Sequence, residues 1–288
     1  MAEHIPAHDN GNRPIVAEDN ATVPLVYFNR LLLAPGESHD YRLAGHESCV
    51  VPLDGTCTVT VDGVRLENIG TRRHLWEGVP NAAYVPRGAA CTVEAAADGG
   101  RVEVFVAGGR IEETFEPFAI RDADVDIVQY GSDATKTHRK IKHLLGQRNA
   151  GGRGRLLVSE LFTVGAGGWS GFPPHKHDTD RTEEGGRPLE TRFEEVYQFR
   201  FRPEQGFGCQ FDYVEDGAAG QPHHIRHGDT YLIDRGYHPC VVAPGYEMYY
   251  FTIIVGATAQ SLVQFFEPSH AHQIETIPGI KDMIARFR

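Results

Sequence analysis

GWSGFPPHKHD, the stretch from Gly168 to Asp178, contains two histidines that are two positions apart, His175 and His177. Side chains at positions i and i+2 of a β-strand point to the same face of the sheet. Both imidazoles can therefore bind one ion from one wall of a β-barrel, and imidazole is a ligand for Zn²⁺, Fe²⁺, Ni²⁺ and Mn²⁺. The stretch predicts a β-strand with a divalent metal ion beside it.

A carboxylate ligand is expected on a neighbouring strand, where Glu194 and Glu195 stand side by side. If Glu194 faces inward, the barrel interior also receives Arg200 and Arg202, and burying arginines is far costlier than burying aromatic residues. If Glu195 faces inward, it shares its face with aromatic side chains. These are Tyr197, Phe199 and Phe201. The alternation therefore selects Glu195 as the ligand and leaves Glu194 at the rim or in solvent.

A third histidine follows in GDTYLIDRGYHP, from Gly228 to Pro239. Glycine permits the tight turn into the strand that presents His238. The predicted metal ligands are thus His175, His177, Glu195 and His238. Candidates for lining the pocket are Tyr197, Tyr237 and Gln210, and the residues alone identify no catalytic base.

The rest of the chain predicts an all-β protein. Short β-rich runs alternate with turn residues, including 32 Gly and 17 Pro, which is typical of a sandwich or barrel. Residues 24–107 and 155–256 form two related halves, each with a glycine turn before a late strand. We therefore predict two jelly-roll barrels in tandem with few short helices, the helical patterns being Asp133–Leu145 and Ile280–Arg286.

The predicted organisation has five parts. They are an N-terminal arm (1–23, mobile or draped over the protein), a first barrel (24–109), a charged linker with a short helix (110–154), a second barrel with the metal site (155–260) and a tail (261–288). The first barrel has no H-x-H and carries Cys91 where a histidine would stand, so we expect it to be metal-free, with Cys91 in its core. The tail contains a second H-x-H, His270 and His272, which lacks a following Glu and is expected at the surface.

The charge of the chain limits the classes of molecule that it is expected to bind. The formal net charge of −11 argues against nucleic acid, which needs clustered Lys and Arg, and an anionic substrate would require a locally basic pocket. The basic run from Lys136 to His143 is either a solvated helix face or a source of cations for a carboxylate, and both alternatives stay open. Arg153 and Arg155 face the same alternatives.

Three patterns that the sequence lacks bear on the cellular location of the protein. There is no apolar run of 18 residues for a membrane helix. The polar N-terminus lacks a signal-peptide pattern, and the five scattered cysteines contain no C-x-x-C pair. We expect reduced thiols in a cytoplasmic protein without membrane partners.

The combination of H-x-H, a later Glu and G-D-x(4)-D-x-G-x-H resembles the two metal motifs of the cupin superfamily. One departure is visible, because cupins usually place the Glu a few residues after H-x-H, and here residues 178–194 intervene. Their composition predicts a loop, which a barrel mouth tolerates and which could close as a lid.

The resemblance extends over residues 135–256. The segments WS (169–170), FPPHKHD (172–178), EEVY (194–197), QGFG (205–208), GYHP (236–239) and APGY (243–246) resemble the 5-deoxy-glucuronate isomerases of inositol catabolism. That family consists of bicupins related to 4-deoxy-5-ketouronate isomerases. The resemblance implies an aldose–ketose isomerisation that yields 5-dehydro-2-deoxy-gluconate, with the family's metal ligands at the four residues named above.

The first hypothesis is a metal-dependent isomerase of a small anionic sugar acid. It would bind one divalent ion, Zn²⁺ first, with Mn²⁺, Fe²⁺ or Ni²⁺ as alternatives, and would form a homo-oligomer, a dimer in particular. Two alternatives remain: an Fe²⁺ cupin dioxygenase with the same ligands, and a non-catalytic sugar-binding bicupin.

Overall fold

The Val-, Ile-, Phe- and Tyr-rich runs of the chain form β-strands, which these side chains favour. The computed structural model describes residues 2–258 and 261–286. Positions 1, 259–260 and 287–288, which belong to the predicted arm, second barrel and tail, lie outside the described residues. Two compact units are present. The C-terminal unit comprises Met1–His8, Ile127–Ile141 and Ser159–Arg288, and the N-terminal unit comprises Asp9–Asp126 and Lys142–Val158.

Strands dominate the described residues. The first eleven are β1 (Glu3–Ile5), β2 (Pro14–Val16), β3 (Val26–Leu33), β4 (Ser38–Tyr41), β5 (His46–Asp54), β6 (Cys57–Val61), β7 (Val64–Ile69), β8 (Ala82–Val85), β9 (Cys91–Ala95), β10 (Val102–Arg110) and β11 (Phe118–Ile120). The next seven are β12 (Asp126–Tyr130), β13 (Arg139–Leu145), β14 (Leu156–Thr163), β15 (Gly168–Ser170), β16 (His175–Lys176), β17 (Arg181–Thr182) and β18 (Pro188–Glu190). The last seven are β19 (Phe193–Arg202), β20 (Phe207–Asp212), β21 (Gln221–Arg226), β22 (Thr230–Ile233), β23 (Cys240–Val242), β24 (Glu247–Gly256) and β25 (Phe265–Phe266).

Few helices accompany them among the described residues. They are α1 (Gln147–Ala150), α2 (Ile280–Arg286) and the 3₁₀ turns Asp122–Asp124 and Ala271–Glu275. The prediction of a helix at Ile280–Arg286 is confirmed. The helix predicted over Asp133–Leu145 is wrong, because Arg139–Leu145 forms β13 between β12 and β14 of a sheet. Sheet pairing decides this segment, and the dense run of basic residues obscured the strand pattern of its apolar ones.

The N-terminal unit is a barrel with an apolar interior. Its sheets have the orders β11-β8-β5-β10-β3-β2 and β4-β9-β6-β7. Their inward faces form one core of Val, Leu, Ile, Ala and Cys side chains, among them Val50, Val59 and Val104, and Cys91 lies in that core as expected.

The C-terminal unit is a second barrel. Its large sheet has the order β1-β22-β19-β24-β14-β13-β12, and the facing sheet has the order β15-β23-β20-β21. Strand β19 lies between β22 and β24, with Glu195 opposite Ile233 on one side and Ile254 on the other. Aromatic side chains of the large sheet, including Tyr197, Phe199 and Tyr250, fill much of the interior. The predicted all-β fold with few short helices is confirmed.

The N-terminal arm is paired with strands. Strand β1 lies against β22 and β2 against β3, both antiparallel. The buried Asp229 carboxylate lies 2.8 Å from His4 Nε2 and accepts a hydrogen bond from the Ala7 amide. This aspartate of the G-D-x(4)-D-x-G-x-H motif therefore holds the first residues of the arm in place.

The C-terminal tail folds back onto the second barrel. Strand β25 pairs with β16, which carries His175. Ile277, Ile280 and Met283 pack on Val128, Tyr130 and Ile141 as a separate apolar cluster. His272 is exposed, as expected for the second H-x-H, whereas His270 lies 3.4 Å from Glu267. No helix among the described residues has the length and apolar character needed to cross a membrane.

Candidate metal centre

The three histidines of the predicted site have the same hydrogen-bonding arrangement. In each of His175, His177 and His238, Nδ1 faces a backbone carbonyl and Nε2 points away from it. The carbonyls are those of Pro173, Phe193 and Gly236, at 3.3, 3.3 and 2.8 Å. An Nδ1–H that donates to a carbonyl leaves a lone pair on Nε2, which is the tautomer that binds a metal ion.

The imidazoles converge on one point. A ligand atom from each lies within 4.8 Å of the other two. Glu195 joins them from one side, because its Oε2 is 3.2 Å from His177 Nε2 and 3.3 Å from His238 Nε2. A carboxylate oxygen thus faces nitrogen lone pairs, and the buried His238 Nε2 has no hydrogen-bond partner among the described residues. Hydrogen-bond acceptors that face one another repel unless a proton or a cation lies between them. These nitrogen and oxygen atoms therefore fit the ligand set of a divalent ion.

Local backbone geometry explains how His238 reaches this point. Gly236 has φ +87°, and a Cβ there would lie 2.5 Å from the Tyr213 carbonyl oxygen. Only glycine fits such a position, and its carbonyl accepts the His238 Nδ1–H. Gln210 supports the same segment, since its Nε2 donates to the His238 carbonyl over 2.8 Å.

The electrostatics of the cluster are dominated by burial and by Glu195. Burial, together with the neighbouring His238 and His177, lowers the pKa of His175 to about 3. Burial also opposes protonation of His177, but the hydrogen bond and charge of Glu195 more than offset it and raise the His177 pKa. Burial disfavours the charged Glu195, yet the imidazoles of His177 and His238 that face its carboxylate lower its pKa to about 2. Glu195 is therefore an anion at neutral pH.

Strand β19 places Glu195 as the alternation argument predicts, but its other face is not in solvent. Glu194 is only 3% exposed and Arg200 only 4%, so the expectation of a rim or solvent position for Glu194 is wrong. The reason is that β19 lies inside a seven-stranded sheet that is buried on both faces, with only its last residue, Arg202, exposed. Glu195 nevertheless points to the inside of the barrel, because Glu195 and Tyr197 both line a cavity at the histidine cluster.

A small cavity of about 50 Å³ opens at the cluster. Its walls come from the large sheet, from the H-x-H segment and from the C-terminal tail. The lining residues are Tyr130, Ile141, Ser159, Leu161, Gly171, Phe172, His175, His177, Glu195, Tyr197, Tyr250, Thr252, Ile254, Leu262, Gln264, Phe266, Ile280 and Met283. Such a mostly apolar cavity with a few polar groups is typical of a small-molecule site.

Gln264 is a site residue that the sequence did not indicate. Its Nε2 lies 3.0 Å from His175 Nε2, so the amide donates to the lone pair that would hold a metal ion. Its Oε1 is buried without a partner among the described residues. An amide can rotate and present either atom. The tail carries no motif that points to Gln264, and only the pairing of β25 with β16 brings it to the cavity.

The three pocket candidates have different positions. Tyr197 lines the cavity. Tyr237 does not, and its hydroxyl donates to Asp216 over 2.5 Å. Gln210 does not line it either, and instead holds the His238 backbone.

The insertion before Glu195 is a small hairpin rather than the predicted loop. Strands β17 and β18 pair, and Arg181 lies 3.1 Å from the buried Glu190. Glu190 accepts hydrogen bonds from the amides of Asp178 and Thr179. In the described part of the chain this hairpin contributes nothing to the cavity wall, so the tail closes the cavity where a lid was expected.

Comparison with known proteins agrees with this architecture. The model of the KduI/IolB family matches residues 4–273. The chain belongs to the KduI/IolB family. It is 32% identical to the 5-deoxy-glucuronate isomerase of Geobacillus kaustophilus, over 88% of each chain, and 30% identical to that of Bacillus subtilis strain 168, over 90% of this chain and 92% of the relative. The prediction of an enzyme of this isomerase family is confirmed.

Solved structures give the same result for the fold. An IolB-like protein from Salmonella typhimurium LT2 superposes with a TM-score of 0.81 at 27% identity, covering 93% of this chain and 98% of that one. Oxalate decarboxylase from Bacillus subtilis superposes with a TM-score of 0.60 at 12% identity, covering 91% of this chain and 77% of that one. The latter likeness concerns the cupin fold alone.

The adjacent glutamates provide a matched test of the ligand set. Glu195→Gln is expected to lower the Zn²⁺ affinity by more than about 100-fold, since even outer-shell losses cost 10–100-fold. Glu194→Gln, a change of the same size at a buried neighbour facing the other way, is expected to leave it within a few-fold. Competition with a chromophoric chelator measures both. Equal losses in the two variants would contradict the assignment of Glu195.

Protonation of the metal-free protein provides a second test. At pH 5 we expect His175 to stay neutral, because its lowered pKa keeps the proton off, whereas His177 carries a proton. Below pH 6.5 the unfolded chain takes up a proton that folded His175 refuses, so this group reduces stability as pH falls, whereas the proton on His177 stabilises the fold until pH rises through its raised pKa. Imidazole ¹⁵N NMR shifts measure both titrations. A His175 that titrates near pH 6.5 would refute this assignment.

Proposed function

We propose that this protein is a metal-dependent aldose–ketose isomerase of a deoxy-uronic acid. The proposed reaction converts 5-deoxy-glucuronate to 5-dehydro-2-deoxy-gluconate in myo-inositol catabolism. The observation that carries the proposal is the convergence of three imidazole Nε2 atoms and the Glu195 carboxylate at the wall of a cavity. Membership of a family whose relatives are named 5-deoxy-glucuronate isomerases supports the choice of substrate.

Isomerisation requires a proton to move between adjacent carbons while a carbonyl is polarised. A divalent ion held by His175, His177, Glu195 and His238, Zn²⁺ in this proposal, supplies Lewis acidity that favours negative charge on substrate oxygens. Three histidines and one carboxylate leave coordination positions open for those oxygens.

The residues around the cluster hold and shield the substrate. Burial and the Glu195 charge raise the pKa of Tyr197 well above its ordinary value, so its phenol keeps its proton and can donate a hydrogen bond to a substrate oxygen. The Gln264 amide offers a second polar contact next to His175. Apolar walls formed by Phe172, Leu262 and Phe266 exclude water from the reacting carbons.

The proposal extends to the setting of the enzyme. We expect a cytoplasmic homo-oligomer, a dimer in particular, that acts on a small anionic sugar acid without nucleic-acid or membrane partners. Size-exclusion chromatography with light scattering measures the oligomeric state.

The activity test follows the conversion of 5-deoxy-glucuronate by ¹H NMR without oxygen. The wild-type enzyme is expected to form the 2-deoxy-5-keto acid, to lose activity when its metal is removed by a chelator, and to regain it with added Zn²⁺. His238→Ala is expected to lose at least about 100-fold in kcat/KM, a loss comparable to removing one strong transition-state contact. His272→Ala, an exposed histidine of the second H-x-H, should retain wild-type activity and serves as the matched control.

Two outcomes would refute the proposal. One is full activity in a preparation that elemental analysis shows to be metal-free. The other is turnover that requires Fe²⁺ and consumes oxygen, which would instead support a dioxygenase.

A further inference from the structure

Gln264 belongs to the segment of the C-terminal tail that forms one wall of the cavity. Its neighbours two positions away, Leu262 and Phe266, line the cavity together with it, so every second side chain of this segment points inward. The Val263 amide donates to Thr191 Oγ1 over 2.8 Å, and on the other side of Gln264 strand β25 pairs with β16. The backbone on both sides of Gln264 is thus held to the barrel, and the side chain is fixed at the cavity wall.

Every Nε2 atom of the histidine cluster faces a side chain that carries an oxygen atom. Glu195 Oε2 lies 3.2 Å from His177 Nε2 and 3.3 Å from His238 Nε2. His175 is the third histidine, and the terminal amide of Gln264 lies 3.0 Å from its Nε2. Atoms bound to one ion at about 2.1 Å, with angles of about 90–110° between the bonds, stand about 3.0–3.4 Å apart. Gln264 is therefore spaced from His175 as a second ligand of the same ion would be.

The orientation of the amide decides what Gln264 can bind. Its Nε2 donates to His175 Nε2, whereas its Oε1 is buried and has no hydrogen-bond partner among the described residues. A cation on the His175 lone pair would displace this hydrogen bond and repel the amide N–H groups. Rotation about the last side-chain bond exchanges the nitrogen and the oxygen, which brings Oε1 to the cluster. The buried oxygen then gains a cation as its partner.

We propose that Gln264 is a fifth protein ligand of the metal ion and binds it through Oε1. The inference rests on the metal centre of the proposed function, to which it adds a ligand from the tail. Amide oxygens and imidazoles both bind divalent first-row ions. Five protein ligands leave one position of an octahedral shell for a substrate oxygen, and the amide nitrogen of Gln264 remains a donor for a second one.

The proposal links the ion to the tail of the chain. The other four ligands belong to the C-terminal barrel, so an ion that also binds Gln264 joins the tail to the barrel. Metal binding is therefore coupled to the position of the cavity wall that Leu262 and Phe266 form. Gln264 carries no charge, so a divalent ion with Glu195 as its one anionic ligand keeps a net positive charge beside an anionic substrate.

The experiment measures the Zn²⁺ affinity of three variants by competition with a chromophoric chelator. Gln264→Leu removes the oxygen and is expected to lower the affinity by about 10–100-fold. Gln264→Glu keeps an oxygen ligand and loses the N–H donors, and it is expected to bind Zn²⁺ at least as tightly as wild type. Gln273→Leu changes a glutamine of the same tail that does not line the cavity. This matched control should stay within a few-fold of wild type.

Two results of this comparison would overturn the inference. One is a Gln264→Leu variant that binds Zn²⁺ as tightly as wild type. The other is an equal loss in Gln264→Leu and Gln264→Glu, because the N–H donors rather than the oxygen would then be what the site needs. The measurements use no sugar, so a failure to isomerise 5-deoxy-glucuronate would count against the proposed reaction and not against Gln264 as a ligand.

Hydrogen exchange of the wild-type protein covers the case in which Gln264→Leu does not fold. Zn²⁺ is expected to slow the exchange of the backbone amides in residues 262–266 several-fold, because the ion joins this segment to the barrel. Strand β5 of the N-terminal barrel carries none of the metal ligands and is the internal control. If Zn²⁺ protects β19, which carries Glu195, but leaves exchange in residues 262–266 unchanged, the inference is wrong.

Discussion

The hydrogen bonds between imidazole Nδ1–H groups and backbone carbonyls are the constraint on which the rest of the site depends. They orient His175, His177 and His238 so that each lone pair points into one small space beside Glu195. Without a cation, the Glu195 carboxylate faces three imidazoles in a region from which water is largely excluded, and it favours a proton on His177 in place of the missing cation. The protein maintains that unfavourable arrangement with the rigid framework of a buried sheet.

The two barrels show what this arrangement requires. In the N-terminal unit the interior is packed with apolar side chains such as Val50 and Val59, which contribute to stability and offer no donors. In the C-terminal unit part of that packing is replaced by the histidine cluster and a cavity. The C-terminal tail forms part of the cavity wall, and its Ile280 and Met283 pack on the neighbouring strands. The histidine cluster therefore lies in one barrel, whereas the other barrel has a packed apolar core.

The sequence was most informative where the evidence was local. H-x-H spacing, strand alternation around Glu195 and the glycine before His238 each depend on a few adjacent residues, and the structure brings all four side chains together. Alternation could select Glu195 without revealing that Glu194 is also buried, because burial of the second face depends on what covers the sheet. The segment that forms β13 resembled a basic helix, because its pairing with β12 and β14 cannot be read from its own residues.

The parts that were missed depend on contacts distant in sequence. Gln264 reaches His175 only because β25 pairs with β16, and the hairpin that replaces the predicted loop is held by Glu190. Arg139 belonged to a basic run whose two interpretations were left open. Only the sheet order, which buries this arginine beside Tyr130 and Tyr250, distinguishes it from the exposed Lys136.

The central claim is that these four side chains hold one divalent ion. Anomalous diffraction from crystals of the purified protein, recorded on both sides of the Zn absorption edge, tests it most directly. The account predicts a single strong peak in the C-terminal barrel, about 2.0–2.2 Å from the three Nε2 atoms and from a carboxylate oxygen of Glu195. A peak bound by other residues, or none in protein that elemental analysis shows to contain zinc, would contradict it.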